Sequence, residues 1–194
     1  MNSPSMNPDE AFVTNVRCNY IYVFAPRKSK YGKSEYSVTF LVSKDDEENI
    51  HKLNSSLQYV YDKNINKFTD AGGNVLPFNS IRNPLKDGDI IHRGDEIFKH
   101  MMFIDARSGM PPGVCDANGT HITDRSALYP GVYCNIYVLF HPYNFSTAGI
   151  SCELIALQKC RDGERIDIRS RMNQAARQRA ISAFAFLQNN DTIF

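Results

Sequence analysis

From Val132 to His141 the chain alternates with a period of two, and this run does most to limit what the 194 residues can become. Val132, Cys134, Ile136, Val138 and Phe140 fall on one side, and Tyr133, Asn135, Tyr137, Leu139 and His141 on the other. Such spacing marks a β-strand with one buried face. The second face mixes tyrosine rings with polar groups. A surface of that kind suits stacking against nucleic-acid bases. It equally suits a second layer of core that leaves only the tyrosine hydroxyls wet.

Four more stretches repeat the pattern. Phe12 to Phe24 places Phe12, Val16, Cys18, Tyr20, Tyr22 and Phe24 on one face. Glu35 to Val42 turns Tyr36, Val38, Phe40 and Val42 inward, and Ile150 to Lys159 reads as the last strand. Ile97 to Ala106 carries Phe98, His100, Met102 and Ile104 on one side, which makes His100 a satisfied core residue. Between the second and third strands, Ser43 is the expected N-cap of a helix whose apolar face is Ile50, Leu53, Leu57, Val60 and Tyr61. A second helix is expected over residues 171–188. Five strands and two helices predict a mainly β fold with some α: a five-stranded antiparallel barrel of the OB type. Its helix follows strand two, where the usual OB helix follows strand three. The expected organisation is a flexible tail over 1–10, a barrel domain over 11–168, and a C-terminal helix and tail over 169–194.

The net charge is +1, so no global field draws the chain to a polyanion and any such binding must come from local patches. One patch is the loop Ala25 to Ser34, where Arg27, Lys28, Lys30 and Lys33 surround Tyr31 without a single acid. A basic loop with an interleaved ring can hold phosphates and stack a base; it can also be a solvated hairpin loop that keeps an edge soluble. Lys99, Phe103 and Arg107 repeat the basic and aromatic theme on the third strand. Asp87, Asp89, Asp95 and Glu96 crowd together but miss calcium-loop spacing, and turn chemistry accounts for them better. Cys115 and His121 are half a zinc site with no second pair. No Ser/His/Asp set, phosphate-cradling glycine motif or carboxylate pair on a clear scaffold is visible, so neither an enzyme nor a cofactor is expected. The five cysteines include no CxxC pair, which reads as a reducing compartment without a disulfide framework. The first ten residues lack the basic and apolar regions of a secretory signal, and no run of 18 apolar residues offers a membrane span.

Five blocks together carry a resemblance: KYGKSEYSVTFLVSKDD, the KDGD at 86–89, HMMFIDARSGMPPGVCD, LYPGVYCNIYVLFHPYN and GISCELIALQKCRDGERI. In this order, with Tyr129, Gly131 and Tyr133 spaced as they are, they resemble a phage and prophage family long catalogued as a domain of unknown function. That family is similar to the OB-fold single-stranded DNA-binding proteins of tailed phages. The resemblance spans about residues 12–168. It implies a protein that coats single-stranded DNA without sequence preference in phage DNA replication, recombination and repair, in the cytoplasm of the infected bacterial host. On that reading Arg27, Lys28, Lys30, Lys33, Lys99 and Arg107 contact phosphates, while Tyr31, Phe103, Tyr133 and Tyr137 stack bases. Replication or recombination proteins and a second copy of the chain are further expected partners, and no membrane is. Many single-strand binders end in an acidic tail with a terminal Phe that docks such partners. This chain keeps Phe194 but has only Asp191 near it. Two other classes stay open: a metal-dependent nuclease using the acids at 87–96, and a phage structural or assembly protein.

Overall fold

The computed structural model describes residues 6–28, 32–167, 179–181 and 184. Lys30, Tyr31, Phe194 and most of the helix expected over 171–188 lie outside them. The chain divides into two compact units, Met1–Glu164 and Arg165–Phe194, and the fold described below is that of the first.

Its strands are β1 (Glu10–Lys28), β2 (Ser34–Ser43), β3 (Lys86–Asp87), β4 (Met101–Ser108), β5 (Gly113–Cys115), β6 (Tyr133–Asn144) and β7 (Ala148–Arg161). Helix α1 (Glu47–Lys63) follows β2, and the single turn α2 (Gly88–Ile91) follows β3. The sheet order is β3-β4-β2-β1-β6-β7-β5, and an additional pairing of β4 with β7 closes the five long strands into a barrel. That closing pair is parallel, with Arg107 opposite Glu153. The expectation of an all-antiparallel barrel is therefore corrected. Five strands in a ring cannot alternate direction all the way round, so one neighbouring pair must run the same way.

β1 has 19 residues and serves two partners. Its first half pairs with β6 and its second half with β2, and Arg17 sits opposite both Tyr133 and Leu41. The register shifts between Val13 and Val16 and again between Asn19 and Tyr22. Asn15 and Tyr20, within those shifts, have φ of 52° and 46°. Each irregularity re-aims the alternation and bends the strand around the barrel. Consequently the core takes Ala11, Val13, Val16, Cys18 and Val23 from β1, while Phe12, Tyr20 and Tyr22 are only half-buried. A constant period of two along this strand mis-assigns those three rings.

α1 begins one turn later than the sequence suggests. Its N-cap is Asp46, whose carboxylate accepts from the Asn49 amide at 3.1 Å. The Asn49 side chain exchanges two hydrogen bonds with the Thr14 backbone, at 3.0 and 2.9 Å, tying the helix start to the first bend of β1. Leu53, Leu57, Val60 and Tyr61 are buried, as the helical spacing predicts. The main core joins them to Phe40, Ile104, Ile136, Val138, Phe140, Leu154 and Leu157. Val132, just before β6, and Cys134, Ile136, Val138 and Phe140 within it are all buried to within 1% exposure, as the alternation predicts.

β4 starts at Met101 rather than Ile97. Residues 95–100 form a tight turn in which the Asp95 carbonyl accepts from the Phe98 amide and the Phe98 carbonyl from the Met101 amide. His100 is therefore not a core residue. It has φ of 59°, its ring is exposed, and its Nε2 lies 2.9 Å from Asp45 Oδ1. Phe98 still goes inside, where it joins Leu41 and Phe103 in a small second core on the outer face of the barrel.

Candidate nucleic-acid interface

Strand register fixes which side chains share the outer face of β1, β2 and β4. Tyr22, Ser37 and Arg107 form one row, with Glu153 of β7 opposite Arg107. Asn19, Thr39 and Asp105 form the next, and Arg17, Leu41, Phe103 and Lys86 a third. The third row is capped by the small core, so open surface lies towards Tyr22 and Arg107. There a groove of about 680 Å³ runs between β4, β7 and the segment before β3, walled by Lys33, Arg82, Lys86, Arg107, Tyr143 and Glu153 among others. On β1, where Arg27 pairs with Glu35 of the groove wall, the Arg27 guanidinium lies 4.6 Å from the centre of the Tyr22 ring.

The groove carries three acids, each engaged by a base. Arg107 lies 3.6 Å from Glu35, Lys86 lies 3.1 Å from Asp105, and His141 Nε2 lies 2.7 Å from Glu153. Burial pushes the Asp105 carboxyl up, but the Thr39 hydroxyl, the Lys86 ammonium and Arg107 outweigh it and hold the group below the usual carboxylate range. Lys28, Lys33 and Arg82 are exposed, and none has a side-chain partner among the described residues. The surplus charge of the groove is thus positive although the chain as a whole is nearly neutral.

The structure separates the residues that the sequence groups together. Arg27, Lys28, Lys33 and Arg107 line or flank this groove. Lys99 sits in the turn before β4, 3.5 Å from Glu96. Phe103 is corrected from a stacking ring to a core residue: it is 2% exposed, edge-on to Phe98 at 5.2 Å and to His92 at 5.0 Å. Its burial follows from the turn at 95–100, which folds Phe98 over it. Tyr133 and Tyr137 project from β6, on the far side of β1 from β2. Arg161 already covers one face of Tyr133, its guanidinium carbon 3.4 Å from the ring centre. Tyr137 packs near Phe12, with ring centres 6.3 Å apart. The sequence reading missed Tyr22, Arg82, Lys86 and Tyr143, because pattern alone does not reveal which loop meets which face.

The Tyr137 hydroxyl donates to Glu10 Oε2 at 2.6 Å. This bond lowers the Glu10 pKa, helped by the Asn7 amide, and raises the Tyr137 phenol to about 12. The two signs define a window. The contribution of the depressed Glu10 is full above the ordinary carboxylate range and is lost as pH falls through its own titration. The contribution of the raised Tyr137 holds below about pH 10, the ordinary phenol value, and is lost as pH climbs towards about 12. Titrating tyrosine Cζ resonances by NMR should show Tyr137 ionising late, and Glu10→Gln should bring it back towards the ordinary range.

The acids considered for a metal are held by bases instead. Lys44 Nζ lies 2.7 Å from Asp87 and 2.8 Å from Asp89, and it is this ammonium that first of all depresses both carboxyl pKa values. Asp95 caps its own turn by accepting from the Ile97 amide. Among the described residues no three His, Cys, Asp or Glu side chains converge on a point that could hold a metal ion.

Each long strand pairs as an OB barrel requires: first with second and fourth, second with third, third with fifth in parallel, and fourth with fifth. This pairing defines an OB-type barrel, with the basic groove beside its third and fifth long strands. The chain belongs to the family described as "Enterobacter phage Enc34, ssDNA-binding protein", whose profile matches residues 10–185. It is similar to protein p50 of Acyrthosiphon pisum secondary endosymbiont phage 1, with 28% identity over 155 residues, covering 78% of this chain and 83% of that protein. Its fold is similar to the single-stranded DNA-binding protein from bacteriophage Enc34 in complex with ssDNA, at TM-score 0.69 and 21% identity over 81% of this chain and 89% of that one. It is also similar in fold to gp2.5, a single-stranded DNA-binding protein encoded by bacteriophage T7, at TM-score 0.55 and 12% identity, covering 82% and 96%.

Proposed function

We propose that this protein binds single-stranded DNA without sequence preference, through the groove between β4, β7 and the segment before β3 and the neighbouring outer face of β1 and β2. The observation that carries this reading is the groove itself, where Lys33 and Arg82 have no acidic partner among the described residues, on a barrel of the Enc34 family. Arg27, Lys28, Lys33, Arg82 and Arg107 hold phosphates and release counterions. Tyr22 supplies a ring for stacking, with Arg27 already against it. Since every base has a π-face and every phosphate the same charge, such contacts do not read sequence. The protein is a binder rather than an enzyme on this view, and coating exposed strands suits phage DNA replication, recombination and repair. Binding of partner proteins through Phe194 belongs to the same proposal.

Fluorescence anisotropy with a labelled oligonucleotide of about 30 nucleotides, single-stranded against duplex, tests it. If four to five phosphates are neutralised, the logarithm of the association constant should fall with the logarithm of salt at a slope of about −3, from roughly −0.7 per contact on a single strand. Equal, weak binding to both forms would instead favour a structural or assembly role. Divalent-dependent cleavage of the strand would favour the nuclease.

A further inference from the structure

The segment between α1 and β3 is not part of the barrel, yet it builds a second wall for the groove. It is pinned beside the tip of the β6–β7 hairpin: the Arg82 amide donates to the Ala148 carbonyl at 3.0 Å and the Ile150 amide donates to the Arg82 carbonyl at 2.9 Å. Across from Ala148, the Asn144 side chain donates to the Lys67 carbonyl at 2.9 Å. Between hairpin and segment lies a second cavity of about 680 Å³, with Thr69, Leu76, Arg82, Asn144 and Phe145 in its walls. Arg82 lines both cavities, so the two meet at this residue.

The hairpin tip carries an unexplained pair of rings. Phe145 is 90% exposed, and its ring stacks on Tyr143 with centres 6.3 Å apart and planes 21° from parallel. Tyr143 lines the first cavity and Phe145 the second. Gly149 draws Tyr143 and Arg82 together: a Cβ at that position would lie 2.6 Å from the Tyr143 hydroxyl and 2.7 Å from Arg82 Cβ. A side chain there would push the Tyr143 ring and the first carbon of the Arg82 side chain apart. The nearby acid, Asp70, is turned away into its own loop, where it accepts from the Gly72 and Asn74 amides at 2.8 and 2.9 Å. What remains at the junction is Arg82, exposed and without a side-chain partner among the described residues, beside the Tyr143 and Phe145 rings, the combination that holds one phosphate and stacks one base.

We propose that the β6–β7 hairpin and the α1–β3 segment form a second single-stranded DNA contact, in which a base seats on Phe145 and the adjoining phosphate on Arg82. The strand then leaves the main groove past Tyr143 and continues into the second cavity. This rests on the single-strand reading above and extends it to residues outside the β1–β2–β4 face.

The chain contains no tryptophan, so Phe145→Trp gives one indole reporter at the tip. Adding an unlabelled oligo-dT of about 30 nucleotides should quench its emission as the indole stacks. In parallel, Phe145→Ala should weaken anisotropy-measured affinity by roughly 5- to 150-fold, the range for one lost base stack. Arg82→Ala should make the salt slope shallower by about one contact's worth. Phe145 is exposed, so its removal leaves the core intact. If the parent binds oligo-dT and Phe145→Ala binds equally well, the hairpin contact is overturned whatever the indole does, and Phe145 is then free to serve a protein partner. If the parent binds no oligonucleotide, it is the groove reading that fails.

Discussion

Phe103→Ala lowers the stability of the barrel by about 3–5 kcal/mol, the usual cost of truncating a buried phenylalanine. Phe103 is 2% exposed and packs against Phe98 and His92, with Leu41 beneath it and the Lys86 ammonium 5.4 Å from its ring centre. This second core has only three fully buried members, so the cavity has few neighbours able to close it. The same cluster holds down the turn at 95–100 and covers one end of the outer face of β2 and β4. Urea denaturation should show the midpoint falling by more than about 1 M, given slopes of 1–3 kcal/mol/M for small domains. Were Phe103 a base-stacking platform, the substitution would leave the midpoint in place and weaken oligonucleotide binding instead.

Reversing charge at Lys33 and Arg107 together, as Lys33→Glu with Arg107→Glu, should reduce single-stranded DNA affinity by at least about 100-fold. Each position removes a charge-assisted contact of about 1.5–3 kcal/mol, and each new carboxylate adds repulsion. The new acid at 107 would face Glu35 and Glu153, which now lie against Arg107 and His141. Both side chains are exposed at strand ends, so the thermal transition should move little, which separates this result from unfolding. Anisotropy at two salt concentrations gives a second reading, since the variant's slope should be shallower by the two lost contacts. An affinity within threefold of the parent would place the strand elsewhere on the barrel, with the Tyr133 and Tyr137 face as the first alternative.

Much of the barrel was legible in the sequence because burial on one face writes itself as a period of two. Val132, Cys134, Ile136, Val138 and Phe140 are inside as the alternation requires, and Leu53, Leu57 and Val60 line the helix as a period near 3.6 requires. Helix α1 follows β2 as read, and the family resemblance drawn from the blocks agrees with the family match. The cluster of cations between the first two strands was visible, since four cations without an acid stand out in a chain of charge +1, but the loop read over Ala25 to Ser34 is shorter, because β1 runs on through Arg27 to Lys28.

Other features depended on contacts between distant residues. Alternation along β1 fails at Asn15 and Tyr20 because β1 must bend to pair with both β6 and β2, a demand set by its partners rather than by its own residues. Phe103 looked like an outward ring until the turn at Phe98 folded over it. Lys44 claimed Asp87 and Asp89 from 43 and 45 residues away, which no local spacing announces. Composition and periodicity determined that this chain forms a mainly β barrel with a helix after its second strand. Tertiary structure alone decided which rings face solvent, which cations lack a partner among the described residues, and that Arg82 and Tyr143 meet over Gly149. Periodicity records the burial of each residue against an average neighbour; the site depends on particular neighbours, and those are chosen by the closure of the barrel.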